Sequence, residues 1–298
     1  MPADRLDTAP LVPRPTGPDW RDFKRAARAG DHGSDLAVPG SHRYRYAILT
    51  VLLLLGLPAV PAGLLLTEGV TLLSVSMSAL WTGGILLTAL VALGVRRLDH
   101  WGPKTRERYR LTRFAHANGL DYEPTPDVPR PAADLFDSAS PTRAHLDRLT
   151  APGPGGFLVA NYREERDWEG AESYWSEAGY AVFRLRETLP HFFAARHTAA
   201  PPRRLRSVTP TDGADGYRVW CANPGHPPLA RLLDETRLLG HVSRLGGTTQ
   251  VEIVGDQLFL VHRGGFWPLA SPAFWAATDA TAEALSPFLA PPTERPDG

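Results

Sequence analysis

From Ala47 to Val95 the chain runs through 49 residues with one charged side chain, Glu68. No other feature restricts the fold as strongly. A helix crosses the hydrocarbon core of a bilayer in about 20 apolar residues, so this stretch is long enough for two spans. The expected transmembrane hairpin covers 46–95, with spans over about 46–66 and 72–95. Thr67-Glu68-Gly69-Val70-Thr71 is the expected turn, since it holds the single charge and a glycine. The competing reading, a helical hairpin buried in a large soluble core, is disfavoured because core helices rarely reach this length without a polar face. A cleaved signal peptide is not expected either. The apolar run follows a long polar arm and exceeds a signal h-region of about 7–15 residues. Met1-Pro2 is no myristoylation start, and the C-terminus carries no Cys for prenylation.

Basic residues set the expected orientation. Arg5, Arg14, Arg21, Lys24, Arg25, Arg28, Arg43 and Arg45 precede the hairpin. Arg96, Arg97, Lys104, Arg106, Arg108, Arg110 and Arg113 follow it, and the turn has none. The expectation is a two-span protein of the cell membrane with both termini cytoplasmic. Arg96, Arg97, Lys104 and Arg106 would then meet anionic lipid headgroups, at about 1 kcal/mol each. Topology alone also demands such a collar.

Within the spans, Pro58 and Pro61 should kink the first helix. Ala59 with Gly63, and Ala79 with Gly83, follow the spacing that lets helix backbones approach closely. They are helix-packing candidates, either within the hairpin or between copies, although small residues are common in any membrane helix. Neither span carries an ionisable group at mid-depth, which argues against a pump or transporter.

The flanking regions divide by composition. Residues 1–45, rich in Pro, Gly, Asp and Arg, are expected as a basic cytosolic arm without regular structure. A short amphipathic helix around Trp20–Arg25 is the alternative. Residues 96–122 read as a basic juxtamembrane helix with Leu111, Phe114 and Ala115 on its apolar stripe and Gly119 at its C-terminus. Residues 123–156 carry seven prolines and read as an irregular crossing, with a short helix near Thr142–Leu149. From Phe157 the pattern turns to strands. Phe157–Tyr162 is one. Tyr180–Arg186 alternates, with Ala181, Phe183 and Leu185 on one side and Arg184 and Arg186 on the other. Tyr217–Ala222 is another, and Thr249–Val254 and Gln257–Arg263 flank Gly255-Asp256 as a hairpin. Leu229, Leu232, Leu233, Thr236 and Leu239 repeat at helical spacing, with Gly240 closing that helix. A last helix starts at Ser271-Pro272 and turns Phe274, Thr278, Leu285, Phe288 and Leu289 inward. The fold class is therefore α+β, with a mainly antiparallel sheet and packed helices over 157–289 behind a transmembrane hairpin. The tail 290–298 is expected to be disordered.

The chemistry-bearing motifs are sparse. The formal net charge is zero, so bulk charge gives no reason to expect nucleic acid as a partner. From Phe114 onward 17 Lys+Arg stand against 23 Asp+Glu, an acidic head behind a basic collar. A single cysteine, Cys221, excludes an internal disulfide and a cysteine-built zinc site. It lies in a strand and reads as buried and inert. Ten histidines are scattered without metal-ligand spacing, and no Walker A, GxGxxG, HExxH or GxSxG motif occurs. No cofactor and no metal is expected. Pro152-Gly153-Pro154-Gly155-Gly156 lacks the lysine of a phosphate loop and reads as a linker. The run from Arg163 to Glu172 holds carboxylates suited to general acid–base work or a divalent cation, but its placement between two strands favours a solvated loop. Trp168 and Trp175 in or beside it are partner-surface candidates if exposed. They could equally fold back on the sheet. His191, between Leu189-Pro190 and Phe192-Phe193, is the catalytic candidate, acting with a carboxylate of the 163–172 run. Backbone bonding at a strand edge is the commoner role for such a histidine. His262, on a face with Leu258 and Leu260, reads as core or edge.

The order of parts, with "RYRLTRFAHANGLDYEP", "FLVANYREE", "GYAVFRLRETLPHFFAARH" and "VEIVGDQLFLVHR", resembles an uncharacterised family of two-helix integral membrane proteins of high-GC actinobacteria with a cytosolic α+β domain. The likeness spans about Arg43 to Leu289. The basic residues agree with a high-GC source, since only Lys24 and Lys104 are lysines. The resemblance implies this architecture and no catalytic residue. The expected function is a membrane-anchored cytosolic interaction domain, scaffold- or sensor-like, that binds a protein partner or a second copy. A membrane-tethered enzyme and an accessory subunit of a larger membrane complex are the alternatives.

Overall fold

A computed structural model describes residues 6–12, 14–32, 104–127, 131–133, 136, 142–152, 156–166, 174–196 and 200–291. The expected hairpin over 46–95, its packing candidates Ala59, Gly63, Ala79 and Gly83, the collar residues Arg96 and Arg97, Trp168 and the tail beyond 291 lie outside the described residues. Among the described residues no helix is long and apolar enough to cross a membrane. The chain divides into two compact units, one of residues 16–107 and one of residues 1–15 with 108–298.

In the first unit, α1 spans Gly17–Ala29, where the sequence favours an arm without regular structure. Local signals account for it. Pro18 stands in the first turn, and Gly30 ends the helix at φ 103°, donating to the carbonyls of Ala26 and Ala27. Phe23 and Ala27, one turn apart, are buried. The Phe23 ring stacks on Trp20 at 6.0 Å and on His32 at 4.0 Å, and Lys24 Nζ lies 5.3 Å from the Trp20 ring. The exposed Arg25–Asp22 pair at 3.3 Å adds little.

The second unit is built on a seven-stranded antiparallel sheet. The strands are β1 (Asp121–Glu123), β2 (Arg143–Thr150), β3 (Phe157–Arg166), β4 (Tyr174–Arg196), β5 (Thr211–Asp212), β6 (Tyr217–Cys221) and β7 (Thr249–His262). The order is β1-β2-β3-β4-β6-β5, and β7 pairs with the other side of β4. Helix α2 (104–117) precedes the sheet. Helices α3 (Pro227–Thr236), α4 (Leu238–Leu245) and α5 (Pro272–Leu285) follow its strands. One core joins helices and sheet. In it Trp275 of α5 meets Phe114 of α2 at 4.7 Å and Phe157 of β3 at 6.2 Å. Trp275 is fully buried and its Nε1 donates to the Leu269 carbonyl at 2.6 Å, so the ring enters the core without an unmet donor. The apolar stripe of α2 is the expected one, with Leu111, Phe114 and Ala115 buried. Its end is a Schellman motif. Gly119 takes φ 62°, and Leu120 N donates to the Ala115 carbonyl at 2.8 Å. The Asn118 side chain ties down the N-terminal segment, accepting from Asp7 N at 2.6 Å and donating to Asp7 O at 3.0 Å.

Four local expectations are corrected. Residues 143–150 form strand β2, not a helix. Leu146 and Leu149 stand three apart yet share a face, because a bulge between them puts one extra residue opposite β3. Leu146 pairs with Asn161 and Leu149 with Val159. Asp147 takes up the bulge at φ 52°, a conformation aspartate tolerates better than most residues. Gly255-Asp256 makes no hairpin. β7 continues through it, because both its halves pair with β4, Gln257 with Arg184 and Ile253 with Phe192. Over that interval β4 advances eight residues and β7 four. The surplus in β4 includes Pro190, at a place where no ladder N–H is required. Both strands switch the parity of their core-facing residues there, from Ala181 and Phe183 to Phe192 and Ala194, and from Leu260 and Leu258 to Ile253 and Val251. The helix begun at Pro227 is not closed by Gly240. Arg237, at φ 47°, breaks it, and Gly240 lies inside α4. Finally, residues 163–166 belong to β3, not to a solvated loop, and Glu164 is fully buried.

Candidate functional site

β3 and β4 pair from Phe157 opposite Phe183 out to Arg166 opposite Tyr174. Toward its outer end this ribbon carries Trp175, 43% exposed, opposite Glu165. Val12 is the other exposed large apolar side chain among the described residues. The Arg163 guanidinium lies 5.0 Å from the Trp175 ring, and Arg163 pairs with Glu177 across the ladder. A guanidinium stacked on an indole is rigid, apolar on its open face and charged at its edge. Trp175 is therefore held as an outward platform rather than folded into the core.

The opposite face of the same ribbon is a closed polar–aromatic cluster. Glu164 accepts from Tyr162 Oη at 2.9 Å and from Arg166 Nε at 2.6 Å, and a second Arg166 nitrogen also reaches it. That carboxylate is committed to structure, as a buried charge must be. Next to it, His145 Nδ1 and Tyr180 Oη share a hydrogen bond at 2.8 Å. Phe136 covers them, edge-on to Tyr162 and Tyr180 at 5.1 and 5.0 Å and 5.6 Å from the His145 ring. Burial, with Arg143 and Arg148 nearby, lowers the His145 pKa to about 4, so the imidazole is neutral at neutral pH. Burial also pushes the Tyr180 phenol up, which keeps it protonated.

His191 does meet a carboxylate, but not one from the 163–172 run. Its Nε2 lies 3.0 Å from Glu252 Oε1, contributed by β7. The register that sets Glu252 opposite Phe193 brings them together. Glu252 is buried, and Phe193 and Trp220 pack beside Leu205 on this part of the sheet. A histidine held by a carboxylate in one orientation is half of an acid–base device. The sequence held one signal for Glu252, a lone carboxylate within the apolar run Val251–Val254. Nothing in the sequence pointed to Arg163 as the partner of Trp175.

Cys221 is buried, and burial raises its thiol pKa, against nucleophilic use. His262 Nδ1 sits 3.1 Å from Thr248 Oγ1, and burial lowers its pKa. Among the described residues no group of three or more His, Cys, Asp or Glu is placed to hold a metal ion. Of the collar residues, Arg108 is not available to headgroups. It is buried and paired with Asp147. A cavity of about 210 Å³ opens where β4 leaves β7, lined by Leu185, Arg186, Glu187, Leu189 and residues of α3 and 287–288.

No family model matches the chain, and no curated protein matches it. Among solved structures the chain is similar to the crystal structure of the mycobacterial trehalose monomycolate transport factor A, TtfA. The identity is 12%, over 62% of this chain and 96% of that one, with a TM-score of 0.38.

Proposed function

We propose that this chain is a membrane-anchored interaction protein of the two-helix actinobacterial type, in which the hairpin over 46–95 spans the cell membrane and the α+β unit binds a protein partner in the cytosol. The observation that carries the interaction reading is Trp175, exposed on a β-ribbon and braced by Arg163. Aromatic residues with adjacent arginine are the side chains that dominate protein interfaces. The anchoring part rests on the apolar stretch and its basic flanks. The test is native mass spectrometry of the full-length protein taken from its own membrane in mild detergent, as wild type and as Trp175→Ala. Added mass from a partner or a second copy, lost in the variant, supports the reading. A bare chain in both, or a complex indifferent to Trp175, removes it. A reporter active only outside the cytoplasm, fused to the C-terminus, tests the topology and should be silent.

The His191–Glu252 pair favours a second reading, a membrane-tethered enzyme. A bound small molecule in the same spectra, lost in His191→Gln, would move the weight to it.

A further inference from the structure

The surplus of residues in β4 between Arg184 and Phe192 does more than bend the sheet. It lifts residues 185–188 out of pairing with β7 and opens the 210 Å³ cavity against α3. Bulges of this kind recur beside functional sites because they re-aim side chains. The C-terminal segment Ser286–Phe288 supplies another wall. It is held in place by a bridge between Leu185 and Leu289, by Ala290 N donating to the Arg184 carbonyl at 2.9 Å, and by Arg186 Nε donating to the Leu289 carbonyl at 2.6 Å. The cavity is thus bounded by clipped elements rather than by one loose loop.

Its chemistry has two parts. Leu185, Leu189 and Leu232 are buried side chains in its lining, and Phe288 lies beside them. Arg186 and Arg231 line it as well, with Glu187 as the one carboxylate in the lining. The lining by itself balances at +1, and Glu235, just outside it, offsets Arg231 through their ion pair, so the surroundings lack the excess positive charge that a doubly charged phosphate needs and an anion is held by guanidinium N–H groups rather than by bulk charge. Arg186 spends its Nε on the Leu289 carbonyl and Arg231 its Nε on Glu235 at 3.2 Å. Each bond fixes a guanidinium by one nitrogen, which positions the fork for a carboxylate. The helix terminus is not the source of charge attraction, because Pro227 and Pro228 remove two N–H groups from the first turn of α3. The volume is below that of a typical drug-sized site, so the occupant is small.

We propose that this cavity binds a small monocarboxylate with an apolar body, the body against Leu185, Leu189 and Leu232 and the carboxylate between Arg186 and Arg231. This goes beyond the partner surface at Trp175 and does not depend on it.

The test uses the full-length protein in lipid nanodiscs and 3-phenylpropionate as probe, followed by isothermal titration and by ligand-observed NMR. The expected result is saturable binding of one probe per chain. The uncharged 3-phenylpropanol should bind at least tenfold more weakly. Arg231→Gln, at a side chain 69% exposed, should weaken the acid about tenfold and leave the melting temperature unchanged. Arg204→Gln, an equal charge change at an exposed position outside the cavity lining, should leave binding unchanged. Phe288→Ala should weaken acid and alcohol alike. Absence of saturable binding overturns the proposal, as does equal loss in the Arg231 and Arg204 variants, or equal affinity for acid and alcohol.

Discussion

Arg108 Nε lies 3.0 Å from Asp147 Oδ1, with the arginine side chain 2% exposed and the aspartate 18%. A guanidinium drawn from the basic collar is thus spent inside the fold, joining α2 to the bulge of β2. Tyr122 of β1 donates to the same carboxylate oxygen at 2.7 Å. Three elements meet at one aspartate held at φ 52°. Removing the charge leaves the arginine buried with its ion pair broken, which costs about 3–5 kcal/mol when one partner of a buried pair is lost. Asp147→Asn keeps a residue that tolerates the left-handed conformation and an amide oxygen that can still accept from Arg108, so it should fall at the lower end, about 3 kcal/mol. Asp147→Ala adds backbone strain and should cost more. Urea denaturation of the full-length protein in detergent checks the order, and equal stability of the two variants would show that the strain is unimportant.

The closed cluster around His145 makes stability depend on pH. The imidazole pKa is near 4 when folded and about 6.5 when unfolded. Below pH 6.5 the unfolded chain takes up a proton that the folded chain refuses. Stability from this site is therefore complete above about pH 6.5 and declines as pH falls toward 4, by on the order of 3 kcal/mol. His262 and His241, also lowered by burial, act in the same direction. Denaturation midpoints at pH 7 and pH 5 should differ, and His145→Gln should flatten part of the slope. An unchanged slope would mean that His145 titrates alike in the folded and the unfolded chain.

Gly179 is required by contact, not by its backbone angles. A Cβ at this position would lie 2.5 Å from Trp267 Cγ and 2.9 Å from its Cβ. Trp267 cannot yield easily, since its backbone N–H donates to Asn161 Oδ1 at 2.8 Å and Asn161 Nδ2 donates back to its carbonyl at 3.3 Å. Gly179→Ala should destabilise by about 1–3 kcal/mol through overpacking. Thermal melts read the effect, and a second change of Trp267 to Leu should recover part of it.

The platform at Trp175 should be dispensable for folding. Trp175→Ala is expected to change stability by less than about 1 kcal/mol, because the ring is half exposed. A double-mutant cycle with Arg163→Ala should yield a coupling of about 0.5–1 kcal/mol, the size of an exposed cation–π contact. A larger value would mark the pair as structural and weaken its assignment as a docking surface.

Much of the architecture was legible from local pattern. The stripe of α2, the Gly119 terminus, the alternation of Ala181, Phe183 and Leu185 against Arg184 and Arg186, and the start of α5 at Pro272 all follow from periods of 3.6 and 2 or from residues with fixed backbone preferences. At two of the places where the pattern misled, a bulge was the cause. Leu146 and Leu149 imitate a helix because an extra residue restores their common face. Thr249–Val254 and Gln257–Arg263 imitate two strands because β7 changes parity at Gly255 while its partner does the same.

The amino-acid sequence by itself determined the apolar stretch, its basic flanks, the antiparallel α+β class and most single elements, since these depend on neighbours a few residues apart. Tertiary structure alone decided which charges meet. Glu252 reaches His191 across 61 residues, Asp147 reaches Arg108 across 39, and Arg163 finds Trp175 through the β3–β4 register. Such pairs arise from strand registry and bulges, which are set by the packing of whole faces rather than by any local signal. The cavity beneath β4 has the same origin, because it exists only where two strands of unequal length must share one ladder.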